Sequence, residues 1–296
     1  MEEEFLRSEK YMISRFAALV VLLRNEASVD ALASLIAGGS VQDAINLITR
    51  STPSVGSVWI RNFVATAGNL SSSIGGAIGA ASFDFDQTLP NVVEALRSNA
   101  DRVSRTYLIR QQQAALEAAN SAIRDGLGPR GIARRLRDSI GLDRSQVRAL
   151  DNYRKGLVGD PNSSSPRAQR LRGSTPLTAA QVATLSDSYR KALVRQKAGG
   201  LGGLEALRST HEGADAVFGQ AVDLGLINPS DLERIWNTRR DTKVRVSHQS
   251  MNGQRRGFRE PFTSGRGARL RFPTDSRAPI EEIAECRCLV SHRIVQ

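Results

Sequence analysis

Apolar residues recur along most of this chain every three to four positions, the period of a helix with one buried face. Between Glu9 and Arg24 the stripe is Tyr11, Ile13, Phe16, Leu19, Val20 and Leu23, and short amphipathic segments follow over 28–37 and 41–48. The stretch from Ala65 to Ser82 is dense in Gly, Ala and Ser. It reads as a close helix–helix contact or a loop, although small residues also permit tight helix packing in lipid. Pro90 is a residue type favoured at the first helical position and opens a helix past Leu96 to Val103. A long helix follows to about Ile123, with Leu108, Leu116, Ala119 and Ile123 on one side. Gly126-Leu-Gly-Pro129 breaks the chain. Ile132, Leu136 and Ile140 then fall four apart beside Arg130, Arg134, Arg135 and Arg137. Asp143 with Gln146, and Thr178 with Gln181, have the spacing of capping boxes. Between those two helices, 159–177 is rich in Pro, Ser and Gly and reads as a linker, basic at Arg167, Arg170 and Arg172. After the second, Gly199 to Gly203 is expected to interrupt the helix. A further helix is expected over 211–224, and Pro229-Ser-Asp-Leu-Glu is expected to start a last one ending near Trp236.

Beyond Trp236 the period falls from about four to two. Val244, Val246 and His248 alternate with Lys243, Arg245 and Ser247, and Leu270 and Phe272 alternate with Arg269 and Arg271. Cys286, Cys288, Val290, His292 and Ile294 alternate with Arg287, Leu289, Ser291 and Arg293. Three short strands are therefore expected in a small terminal module. The fold class is α+β: mostly α-helical N-terminal and middle regions with a small β-containing C-terminal module. The divisions in sequence order are a helical extension over 1–90, a helical domain over 91–230 and the α+β module over 231–296.

Composition narrows the partners. With 40% apolar residues in 296, a core can be buried, and the longest apolar run, Phe16 to Leu23, is far too short to span a bilayer. The opening Met-Glu-Glu-Glu lacks the basic start of a secretory signal, and the two cysteines build no disulfide framework. A soluble chain made in a reducing cytoplasm is expected. The net charge is +11, and only five of the 41 basic residues are lysine. Guanidinium forks match phosphate oxygens in pairs, so a polyanion, above all double-stranded DNA, is the expected partner; solvated helix faces are the plainer explanation. The surplus is concentrated in Arg239, Arg240, Arg245, Arg255, Arg256, Arg259, Arg266, Arg269 and Arg271, with only Asp241 and Glu260 opposing it over that span. Arg255, Arg256, Arg259 and Arg266 are expected in a Gly-containing loop, and Arg134 and Arg135 join the set from the helical region.

A second chemistry lies in the same tail. On a strand, Cys286, Cys288 and His292 would share one face, and His248 on another strand would supply a fourth donor. Two thiolates and two imidazoles suit a structural zinc ion, which would also staple so small a module. Plain burial of the thiols as small apolar groups is the alternative.

These residues also carry a resemblance. Trp236-Asn-Thr-Arg-Arg-Asp241, Val244-Arg245-x-Ser247-His248-x-x-Met251-x-Gly253, Glu260-Pro-Phe262, Leu270-x-Phe272-Pro273-x-Asp275 and Glu285-Cys286-Arg-Cys288 resemble the phage Mu F-like head-morphogenesis family. Upstream, Ile123-x-x-Gly126-x-Gly128, Ile132-Ala133-Arg134-Arg135-Leu136 and Ile140-Gly-Leu142 resemble the helical part of the same proteins. The resemblance covers 90–296 and is most specific in the final sixty residues. Two departures are visible: Arg195-Gln196-Lys197 stands where many relatives carry an Arg-Thr-Glu-like motif, and Glu285 stands where Asn usually precedes Cys-Arg-Cys. The resemblance implies a minor head protein of a tailed phage, present in multiple copies at the portal vertex of the virion. Its implied partners are the portal and other head proteins and DNA, with a role in head assembly, packaging or ejection. An internal ejection protein and a generic DNA-binding architectural protein are the alternatives. No G-x-S-x-G, Walker or H-E-x-x-H pattern occurs and carboxylates are not clustered in the basic tail, so no catalysis is expected.

Overall fold

In a computed structural model of the protein, which describes residues 1–50, 54–79 and 83–295, the chain is mostly helical with a small antiparallel sheet module near its C-terminus. The expected α+β class is what forms. None of the described helices is long and apolar enough to cross a membrane. The chain divides into two compact units, one of Met1–Ser14, Ser57–Ala100 and Gly199–Gln296, the other of Arg15–Gly56 and Asp101–Ala198. This division does not follow sequence order, because four helices contribute to both units: α1 (Glu2–Glu26), α4 (Ser54–Ala77), α5 (Pro90–Arg124) and α9 (Ala179–Asp223).

The helical unit adds α2 (Val29–Ala37), α3 (Val41–Thr49), α6 (Pro129–Ser139), α7 (Arg144–Val158) and α8 (Pro166–Arg172). Their starts are written in the sequence. Ser28 and Ser40 accept from the backbone N–H of Ala31 and Asp43, each at 3.1 Å, which satisfies donors a helix cannot pair internally. Asp143 accepts from Gln146 N at 2.9 Å, and the Gln146 side chain accepts from Asp143 N at 3.2 Å, the expected capping box. Thr178 and Gln181 do the same for α9. Ile132, Leu136 and Ile140 are all buried, as their spacing requires. Segment 159–177 is more than a linker: Ser165 caps α8, Pro166 takes its first turn, and Ala168 packs against Tyr153 and Leu157. One small apolar anchor is enough when the cap and the proline set the start.

Under α6 and α7 lies a charged cluster. Arg135 pairs with Asp151 and, at 3.3 Å, with Asp125; Arg154 pairs with Asp138 at 2.5 Å and Asp151 at 3.3 Å; Arg24 reaches Asp138 at 3.3 Å. Burial, followed by the neighbouring Arg154, pulls the Arg135 guanidinium down to about 10.

Helix α5 is one helix from Pro90 to Arg124 rather than two, and α4 carries the helix into the Gly/Ala/Ser-rich stretch as far as Ala77; residues 80–82 of that stretch lie outside the described residues. The expected interruption at Gly199–Gly203 does not occur. Helix α9 runs through it, because there the missing side chains serve close packing: a Cβ on Gly202 would lie 2.8 Å from Cγ1 of Ile13, and one on Gly203 would lie 3.0 Å from a carboxylate oxygen of Glu9.

The terminal module differs most from expectation. Pro229–Asp231 is a single 3₁₀ turn, and Trp236 lies on a strand, β1 (Leu232–Asn237), whose Leu232, Arg234 and Trp236 face inward. Period 2 therefore begins before Trp236, not after it. Strand β1 is central, antiparallel to β2 (Arg255–Gly257) on one side and β5 (Leu289–Ile294) on the other, in register Ile235 with Arg255 and Trp236 with Val290. A second ribbon pairs β3 (Phe262–Thr263) with β4 (Arg269–Leu270). Val246–Gln249 is not a strand but a one-turn helix, α10, and a similar turn, α11, spans Ile280–Ile283. Trp236, Met251, Phe262, Leu270, Phe272, Ile283, Cys286, Cys288 and Val290 form one buried cluster.

Candidate metal centre

Four short segments of the module meet at one buried point. Helix α10 presents His248, whose ring lies edge-on to Trp236 at 5.4 Å and is 1% exposed. Helix α11 presents Glu282, and the β3–β4 turn presents Ser264. Residues 284–288 carry Cys286 and Cys288 before β5 begins, turning through Glu285 at φ +53°. The backbone N–H of Gly265 donates to the Ser247 carbonyl at 2.8 Å, tying the ribbon to α10.

The geometry around His248 is two-sided. Its Nδ1 lies 3.5 Å from Cys286 Sγ and 3.6 Å from Cys288 Sγ, and the three donor atoms are all within 4.8 Å of one another. Its Nε2 lies 2.9 Å from Glu282 Oε2. Burial raises the Glu282 carboxyl, but hydrogen bonds donated by Ser247 (2.8 Å) and Ser264 (3.1 Å), with His248 beside it, outweigh that and hold its pKa below the usual carboxylate value. Nε2 thus faces the carboxylate at ion-pair distance, and Nδ1 is the ring nitrogen turned toward both sulfurs. Two sulfurs and one ring nitrogen converging on one point are a donor set of the kind that soft divalent ions take. Cys286 is already pushed well down by the Cys288 thiol, against burial and with help from His248, while Cys288 is pushed up by donating to Cys286 and by burial. His248, Cys286 and Cys288 are thus a candidate metal-binding site.

His292 is not part of it. Cys286 and Cys288 precede β5, so strand parity does not join them to His292. Its ring stacks on Phe218 at 4.3 Å, and burial holds its pKa well below the usual value. Glu282 is the member that sequence reading missed. Its only signal was an acidic residue four positions before Cys286, which many unremarkable helices share.

The arginines sort by partner. Arg135 is taken up in the ion cluster of the helical unit, while Arg134 is exposed. Arg239 pairs with Glu2, Arg255 with Glu233 (2.6 Å), Arg259 with Asp223 (3.4 Å), and Arg271 with Asp215 (3.5 Å) and Asp275 (3.3 Å). Arg245 donates to the Glu282 carbonyl at 3.4 Å. Arg240, Arg256, Arg266 and Arg269 make no ion pair among the described residues. Arg255 and Arg256 stand on the edge strand β2 rather than in a loop, where charge also blocks unwanted strand pairing. Exposed pairs such as Arg255–Glu233 are worth about 0–1 kcal/mol, so a phosphate can replace the carboxylate at little cost.

No protein-family model, no curated protein and no solved structure matches this chain.

Proposed function

We propose that this chain is a non-catalytic head protein of a tailed phage, bound at the portal vertex, whose zinc-stapled C-terminal module presents arginines to packaged DNA. The observation that carries the reading is convergence. Motifs scattered over fifty residues, resembling the Mu F-like proteins, meet in a single buried cluster: Trp236, Met251, Phe262, Leu270, Phe272, Cys286 and Cys288, with His248 against Trp236. The resemblance therefore rests on residues that build one folded unit.

Zinc is the ion best suited to these donors. Zn–S and Zn–N bonds of about 2.3 and 2.05 Å at a tetrahedral angle separate sulfur from nitrogen by about 3.6 Å. The two S–N separations are 3.5 and 3.6 Å. Glu282 would act from behind His248, as carboxylates behind zinc-bound imidazoles do. The exposed arginines supply sequence-independent affinity for DNA that falls steeply with salt.

Two measurements test the reading. Purified protein is expected to hold one zinc per chain, lost in the Cys286→Ser, Cys288→Ser double variant and bound 10–100-fold more weakly in Glu282→Gln. Equal, near-zero zinc in wild type and double variant removes the staple. The chain is also expected in purified heads and to stay with portal protein in salt that strips DNA; its absence from particles removes the phage reading.

A further inference from the structure

The three donors leave one vertex of a tetrahedral ion unfilled, and the surroundings say what is suited to it. Glu282 is not the missing ligand, because it contacts Nε2 while the sulfurs approach Nδ1. From the solvent side, the donors are reached through a small cleft whose rim carries Arg239, Lys243, Arg245, Arg287 and Glu285. Two thiolates cancel the charge of a divalent ion, so the rim sets the sign at the mouth: Lys243 and Arg245, which make no ion pair among the described residues, stand against Glu285, while Arg239 and Arg287 are already paired with Glu2 and Asp241. Arg287 donates through one nitrogen, Nη2, to both oxygens of Asp241, at 2.7 and 2.8 Å, and both side chains are less than half exposed. The guanidinium is thus held at the rim through one nitrogen, while its carboxylate partner is exchangeable. Asp241 also accepts from the backbone N–H of Lys243 at 3.0 Å, whose ammonium makes no ion pair among the described residues.

We propose that this cleft is a phosphate receptor in which one oxygen of a phosphate monoester or inorganic phosphate completes the metal's coordination. The remaining oxygens meet Arg287 and Lys243. This rests on the metal reading above. A tetrahedral dianion fits better than a carboxylate, because one oxygen given to the metal still leaves a pair for a guanidinium fork. It also fits better than an internal phosphodiester, which carries a single charge and only two free oxygens. A nucleic-acid terminus and free phosphate share this chemistry.

The test uses full-length protein loaded with Co²⁺, whose visible absorption reports thiolate ligation and coordination. Inorganic phosphate is expected to shift the spectrum saturably, with affinity at least tenfold weaker in the Lys243→Ala, Arg287→Ala double variant. A duplex with 5′-phosphate ends that competes better than the same duplex with 5′-hydroxyl ends identifies a nucleic-acid terminus as the source. Equal competition by the two, with inorganic phosphate still bound, identifies free phosphate. A thiolate–cobalt spectrum that millimolar phosphate leaves unchanged, or one whose phosphate response survives the double variant intact, overturns the receptor while sparing the metal site. Absence of any thiolate–cobalt band overturns the metal reading itself.

Discussion

The helical unit and the terminal module each bury a cluster of ionisable groups, and they complete those clusters differently. Beneath α6 and α7, Arg135, Arg154 and Arg24 meet Asp151, Asp138 and Asp125, so every buried cation has a carboxylate from the same unit. In the module, His248, Cys286 and Cys288 converge with Glu282 behind them, and all four are ligands or acceptors once the thiols ionise. A low-dielectric interior tolerates charge only where the opposite charge is supplied. The first cluster finds it within its own sequence. The second would receive it from outside, as the ion proposed above.

Opening the closed cluster is the harshest test of this contrast. Asp151→Ala strips Arg135 and Arg154 of a shared partner that is 6% exposed, and is expected to cost about 3 kcal/mol in urea unfolding. A loss within error of zero would show that the cluster is not energetically closed.

Lys197 is the helical unit's exception, and it sharpens the comparison. It is 8% exposed, its Nζ makes no hydrogen bond among the described residues, and it lies 6.0 Å from the Tyr107 ring centre. Burial pulls its pKa from 10.5 down to about 8, with Asp143 opposing and Arg110 adding. Between those values the unfolded chain holds more protons than the folded one, so stability rises as pH climbs through the window. Lys197→Met is expected to be more stable at pH 7 by on the order of 2 kcal/mol and to lose that advantage near pH 10, read by denaturation at both values. A pH-independent difference would place the ammonium in water.

The smallest effect concerns the turn that carries the thiols. Glu285 sits at φ +53°, a left-handed conformation in which Asn is at home and most side chains are strained. Glu285→Asn is expected to add about 0.5–1 kcal/mol in thermal unfolding and to leave metal content unchanged. A loss of stability would mean that the carboxylate makes a contact worth more than the relieved strain.

Where local rules decide, the chain is easily read. The capping box at Asp143 and the stripe Ile132, Leu136, Ile140 depend on neighbours in sequence, and both formed as expected. The misread elements depended on distant partners. Gly202 looks like a breaker until Ile13 is packed against it. Pro229-Ser-Asp looks like a helix start, yet one 3₁₀ turn suffices, and Leu232–Asn237 then pairs with strands from both later segments. The alternation of Val244, Val246 and His248 is too short to separate a strand from one helical turn, and Val246 ends up 81% exposed. Three of the four donors named from the sequence do converge. The fourth, His292, was assigned by extending a strand three residues too far toward its start, and Glu282 is visible only once α10 and α11 are packed.

The antiparallel pairing of Asn237 with Leu289 means that the polypeptide leaves β1 and returns to β5 at the same doorway. Everything between is an excursion of about fifty residues hung from a fixed neck, and doubling such a loop adds only about 0.6 kcal/mol of closure cost. The outer bends of that excursion, such as the Gly267 turn of the β3–β4 ribbon, are therefore natural places to lodge an affinity tag or a fluorescent reporter. Foreign sequence grafted there would hang from a hinge point whose geometry the neck, not the insert, dictates.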